Sequence, residues 1–139
     1  VTNVDFYVVR DAAPSARLTI AAKLVEKASA RGHSVFINAQ DSDQAETLGK
    51  TLWSFRGSSF LPHSLNEEDP ACSVCIGHDY TPAQHSDILI NLALAPPAFF
   101  SRFNRVLEVV SQEPKALEAL RNAWRFYKDR GYPLKKHDL

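Results

Sequence analysis

The chain has 139 residues, 45% of them hydrophobic and 23% charged, which is the length and composition of one ordinary globular domain able to bury a core. No run nears the roughly 18 apolar residues of a membrane span. Asp5, Arg10 and Asp11 interrupt the only apolar stretch near the start, which therefore does not read as a signal peptide. Membrane, collagen-like, disordered and disulfide-scaffold classes are excluded. Two cysteines without an export signal lead us to expect a reducing, cytoplasmic setting, and the lack of methionine even at position 1 a trimmed start. The net charge of zero is unevenly spread. Residues 115–139 hold seven Lys/Arg against three Asp/Glu, a balance of +4, which leaves −4 for residues 1–114. A basic carboxy-terminal end on a neutral chain points to a local anionic partner, or simply to a solvated helix face with a charged tail.

In chain order, Val4-Asp5-Phe6-Tyr7-Val8-Val9 predicts a first strand ended by Arg10-Asp11. From Ser15 to Arg31, Leu18, Ala21, Ala22, Val25 and Ala28 share a helical face, with Ser15 as N-cap and Gly32 as stop. Ser34-Val35-Phe36-Ile37-Asn38 reads as a second strand. Strand, long helix, strand is a βαβ unit and argues for a parallel sheet. Asp43 with Glu46 caps a helix to about Trp53. Gly57, Pro62 and the acidic stretch Asn66–Pro70 mark loops around a short extended piece at Phe60-Leu61. Ser73–Ile76 predicts a third strand, and Asp87–Leu92 a fourth, apolar enough to be buried on both faces. Pro97 suits a first helical turn. Beyond it, residues 105–110 fit either a continued helix or a strand after a short helix. Pro114 opens a final helix to about Arg130, stopped by Gly131. The expected architecture is α/β. It is a single three-layer α/β/α domain over 1–139, with a mostly parallel central sheet in a nucleotide-binding-like fold.

The chemistry such a fold usually carries is missing its motifs. The first strand–helix turn, Arg10-Asp11-Ala12-Ala13-Pro14-Ser15, has no glycine and places an acid where phosphate would sit. No Gly-x-Gly-x-x-Gly or Gly-Lys-Ser/Thr occurs anywhere. A nucleotide-binding α/β enzyme is thus an alternative without a phosphate loop, and no cofactor is expected. Cys72-x-x-Cys75 has its second cysteine in a predicted strand, where residues three apart face opposite sides and cannot chelate one ion, so no metal is expected. His85-Ser86-Asp87 contains triad residue types, but neighbours cannot adopt triad geometry, and no nucleophile elbow exists. His63, after Pro62, reads as a loop histidine and Glu67-Glu68-Asp69 as a solvated loop.

The last helix is more informative. Arg121, Arg125 and Lys128 follow i, i+4, i+7 and line one stripe. Trp124 lies about 60° from Arg121 and borders it. Leu117, Leu120 and Tyr127 continue the apolar side. An aromatic beside three cations suits an extended anionic ligand with one apolar anchor. The same pattern also fits core aromatics with cations favouring a helix C-terminus. A basic-helix nucleic-acid-binding domain is a further alternative, weakened by the acidic remainder of the chain.

Four segments, in order, resemble one family: Val4-Asp5-Phe6-Tyr7, Ser59-Phe60-Leu61-Pro62-His63, Asp87–Leu92, and Arg121-x-x-Trp124-Arg125-x-Tyr127-Lys128-x-x-Gly131-Tyr132. The family is the chi subunit of bacterial DNA polymerase III holoenzyme. The chain departs from its pattern in a shorter loop before Ser73 and in Cys72-x-x-Cys75. The resemblance implies a nucleotide-binding-type α/β fold without catalytic activity, acting in DNA replication. It implies a heterodimer with the psi subunit, which docks on the clamp loader; the residues do not identify the psi surface, for which we expect an exposed apolar patch. It also implies a site for the acidic tail of single-stranded-DNA-binding protein, which ends in proline and phenylalanine, and through that protein an indirect link to single-stranded DNA. Carried over residue by residue, the tail site comprises Arg121, Trp124, Arg125 and Lys128, with Phe60, Gly131 and Tyr132 nearby.

Overall fold

The computed structural model describes residues 1–11, 13–54 and 62–139. Among these residues seven strands form one sheet, all in parallel: β1 (Asn3–Val8), β2 (Val35–Asn38), β3 (His63–Leu65), β4 (Val74–Gly77), β5 (Ile88–Asn91), β6 (Arg105–Val110) and β7 (Leu134–Asp138). Their order is β3-β4-β2-β5-β6-β1-β7. Helices α1 (Pro14–Ala30) and α2 (Ser42–Ser54) cover one face, and α3 (Pro114–Asp129) the other. Parallel strands need crossovers, and right-handed crossovers in opposite directions put their helices on opposite faces. That is why the chain has three layers. The structure resolves the ambiguity at 105–110 as a strand, preceded by a single 3-10 turn at Phe100–Arg102.

The strands alternate between two cores. Val35, Ile37, Ile88, Ile90 and Leu107 pack beneath α1 and α2, while Val4, Phe6, Phe36, Leu89 and Val106 pack beneath α3. Both long helices end alike. Gly32 (φ 85°) and Gly131 (φ 79°) occupy left-handed positions. The following N–H of His33 bonds back to Ala28, and that of Tyr132 to Tyr127, which is the Schellman closure. Helix starts differ from expectation. Ala13, not Ser15, is the N-cap of α1 and has no side-chain cap; Asp11 Oδ1 accepts the Ala13 N–H instead. For α2, Asp41 Oδ1 accepts the Gln44 N–H at 2.8 Å and Gln44 Oε1 accepts the Gln40 N–H. The capping pair therefore sits two residues before Asp43 and Glu46. The extended piece expected at Phe60-Leu61 lies outside the described residues.

Glu68 does not lie in a solvated loop. Its carboxylate accepts the N–H groups of Ala83, Gln84 and His85 and contacts the His85 ring at 2.8 Å. Burial opposes its charge, but these hydrogen bonds win and hold its pKa at about 2. This anchors the β4–β5 connection.

One cross-strand row on the α3 face is polar at every position but Phe6. Asn38, Asn91, Glu108, Phe6 and Lys136 stand side by side on β2, β5, β6, β1 and β7. Asn38 Nδ2 donates to Asn91 Oδ1 at 3.0 Å, and Asn91 Nδ2 donates to both Glu108 oxygens. The Tyr127 hydroxyl on α3 donates to Glu108 Oε2 at 2.7 Å. Burial pushes Glu108 up to about 7, against the opposing hydrogen bonds of Tyr127 and Asn91 and the nearby Arg17. Burial, and then Glu108 itself, raise the Tyr127 phenol well above its usual value.

Because folding raises the Glu108 pKa, the native state binds its proton more tightly. This contribution is full below pH about 4.5 and is lost as pH rises to about 7, a change of about 3 kcal/mol. Urea titrations at several pH values should show that slope in the wild type and its loss in Glu108→Gln. A variant that keeps the slope contradicts the assignment.

Candidate functional site

Tyr127 fixes which way α3 faces. With Ala116, Ala123 and Tyr127 buried against the sheet, Arg121, Arg125 and Lys128 project to solvent. Trp124 lies between the two sides. Its ring packs on buried Phe6 at 5.1 Å, tilted by 51°, and stays partly exposed. The result is an open groove of about 710 Å³ lined by Leu120, Arg121, Trp124, Arg125, Lys128, Asp129 and Lys136. Lys136 comes from β7, the element that follows α3, and stands directly opposite Phe6 in register.

The groove therefore holds four cations and one acid around an apolar floor of Trp124 and Leu120. Among the described residues, Arg121, Arg125 and Lys128 have no ion-pair partner; Lys136 has only an exposed contact to Asp138 at 3.7 Å. Unpaired guanidinium groups beside an indole can accept a carboxylate in a fork and an apolar side chain next to it.

Of the residues singled out from sequence, the structure brings Arg121, Trp124, Arg125 and Lys128 together. Gly131 and Tyr132 do not line the groove. Tyr132 follows the helix closure, and its ring packs edge-on against Phe100 at 5.2 Å and Tyr127 at 6.3 Å, so it braces the helix end. Phe60 lies outside the described residues. Sequence reasoning missed Lys136, because β7 (Leu-Lys-Lys-His-Asp) carries no apolar alternation to announce a strand.

The place where this fold class holds nucleotides is otherwise occupied. Ligands in open α/β sheets bind beyond the carboxyl ends of strands whose connections diverge. Here those strands are β2 and β5, and they end in the mutually bonded Asn38 and Asn91. Beside them, Arg17 donates to the carbonyls of Val109 and Leu92. The cavity at Arg17, Ala93 and Glu108 is about 10 Å³, room for one water. Cys75 is buried in β4 with its thiol directed to the Glu67 carbonyl at 3.1 Å, and burial raises its pKa. Among the described residues, no group of three His, Cys, Asp or Glu is placed to hold a metal ion, and no helix is long and apolar enough to cross a membrane.

Comparison with known proteins agrees over nearly the whole chain. The family model described as DNA polymerase III chi subunit, HolC, matches residues 1–135. The chain is 48% identical over 138 residues to "DNA polymerase III subunit chi" of Pseudomonas aeruginosa, covering 99% of this chain and 97% of that protein. A solved structure of Mss116p DEAD-box helicase domain 2 bound to an RNA duplex superposes with a TM-score of 0.60 at 9% identity. It covers 99% of this chain, which spans 64% of that one. At that identity the likeness shows the fold alone.

The packing of Trp124 on Phe6 separates its structural weight from that of its neighbours. Trp124→Ala should lower stability in urea by about 1–3 kcal/mol through lost burial. Arg121→Ala and Lys128→Ala should stay within about 0.5 kcal/mol. Equal effects of all three would contradict the described orientation of α3.

Proposed function

The chain belongs to the DNA polymerase III chi-subunit family, and from that premise we propose that this replication accessory subunit is non-catalytic and connects two partners. One is the psi subunit, and through it the clamp loader. The other is the acidic, Pro-Phe-terminated tail of single-stranded-DNA-binding protein. The observation that carries the reading is the α3 groove, with Arg121, Arg125, Lys128 and Lys136 around a half-buried Trp124.

Trp124 and Leu120 offer the apolar surface for the terminal phenyl ring, worth roughly 1.5–3 kcal/mol when fully buried. Arg125 or Arg121 holds the terminal carboxylate by charge-assisted hydrogen bonds of about 1.5–3 kcal/mol. Lys128 and Lys136 attract the tail's acids at longer range, an effect that salt screens. Ordering a disordered tail offsets part of this, leaving micromolar affinity, about −8 kcal/mol. Many tails held near one replisome make single weak contacts sufficient.

For psi, support comes from the far edge of the sheet. Trp53, at the end of α2, is 63% exposed and Leu65, on β3, 46% exposed. Both are apolar side chains near the β3 edge, opposite the β7 edge that borders the groove. Contiguous exposed apolar surface marks protein contacts, and these two side chains are where we place such a patch. With the two sites at opposite edges, both partners can be held at once.

Arg125→Ala should weaken binding of a labelled acidic tail peptide at least about tenfold in fluorescence anisotropy while leaving the circular dichroism spectrum intact. Unchanged affinity in that folded variant would defeat the groove assignment. Trp53→Ala should lose psi in size-exclusion co-elution and keep the tail peptide. Retention of psi would remove α2 from its interface.

A further inference from the structure

The groove is bordered by a strand that, among the described residues, has nothing on its far side. β7 is the last strand of the sheet and, among those residues, pairs with β1 alone. The Val4 N–H donates to the Pro133 carbonyl at 3.0 Å, and the Leu139 N–H to the Val8 carbonyl at 3.0 Å. In a parallel ladder with this register, the peptide groups of Pro133, Lys135, His137 and Leu139 face β1. Those of Leu134, Lys136 and Asp138 point outward. Among the described residues, these outward groups have no strand partner. The Lys136 side chain meanwhile lines the α3 groove, so the open edge and the groove form one continuous surface.

We propose that the free edge of β7 takes up the acidic tail as an eighth strand. The main chain of the tail would bond to Leu134, Lys136 and Asp138, and alternate tail side chains would enter the groove. This deepens the tail-binding reading above and rests on it. Strand addition at a sheet edge draws affinity from main-chain hydrogen bonds and specificity from pockets for every second side chain. The charges select the occupant. Lys135 and Lys136 sit in the middle of β7, so a second copy of this edge would bring lysines against lysines, a common protection against self-pairing. An acidic strand meets the opposite situation, with Arg121, Arg125 and Lys128 on the same side as Lys136.

The test titrates the full chain with the acidic peptide ending in Pro-Phe, both unmodified and N-methylated on one or the other alternate set of its residues. Methylation of the set whose N–H groups face β7 should weaken binding about tenfold, and methylation of the other set no more than about twofold. Equal effects of the two sets overturn strand addition while leaving the groove as the site. Failure of the unmodified peptide to bind overturns both this inference and the reading it rests on. On the protein side, Lys136→Pro deletes one outward N–H without removing a bond to β1, a position where an edge strand tolerates proline. Compared with Lys136→Ala, which lacks the same charge but keeps the N–H, it should bind about tenfold more weakly. Equal affinity of the two folded variants overturns the inference; if Lys136→Pro does not fold, the methylated peptides decide. Edge-to-edge dimers in sedimentation, abolished by Lys136→Pro, would assign the edge to a second copy instead.

Discussion

The hydrogen bond from Tyr127 to Glu108 is the constraint that seats α3. A carboxyl buried in a parallel sheet must find partners, because an unpaired polar group there is expensive. Glu108 finds them in Asn91 beside it and in Tyr127 above it. Tyr127 thereby points at the sheet, and helical geometry then determines the rest. Trp124, one turn earlier, leans on Phe6, and Arg121, Arg125 and Lys128 face water. The same cross-strand row that holds Glu108 ends at Lys136. The groove is therefore tied to the core through both its helix and its strand.

This arrangement places the chemistry away from the site that the fold class usually offers. Asn38, Asn91, Glu108 and Arg17 use the carboxyl ends of the central strands for internal hydrogen bonds and leave only a water-sized cavity. The outside of α3 and the sheet edges are left as the surfaces on which we propose recognition. Proposed interaction surfaces at the two rims of one sheet suit a connector. Fold alone would not indicate that role, since the same architecture serves many chemistries.

Much of the fold could be read from residues in order. The βαβ start, the buried run at Asp87–Leu92 and the glycine stops at Gly32 and Gly131 all correspond to observed elements, because each carries a strong local signal. The cation stripe on α3 was legible for the same reason, since i, i+4, i+7 spacing survives any tertiary context. What was not legible depends on partners distant in sequence. β7 is a strand only because β1 presents an open edge to it; its own residues are nearly all polar. Glu108 interrupts the apolar run 106–110 and signals a buried acid only once Tyr127 and Asn91 are seen around it. Glu68 reads as loop charge until the backbone of residues 83–85 folds over it. The caps differ because α1 and α2 each begin earlier than Ser15 and Asp43 would cap them, with Asp11 and Asp41 accepting the Ala13 and Gln44 N–H groups, and periodicity does not rank such neighbouring starts.

We propose, above all, that the α3 groove receives an acidic tail with an apolar end. In Trp53→Phe protein, Trp124 is the remaining tryptophan, so its fluorescence reports on the groove directly. Titration with the acidic Pro-Phe peptide at low and high salt should shift that emission with micromolar affinity. The affinity should weaken as salt rises and vanish when the terminal phenylalanine is removed. An unchanged Trp124 spectrum at saturating peptide and low salt would rule out the α3 groove as the tail's site.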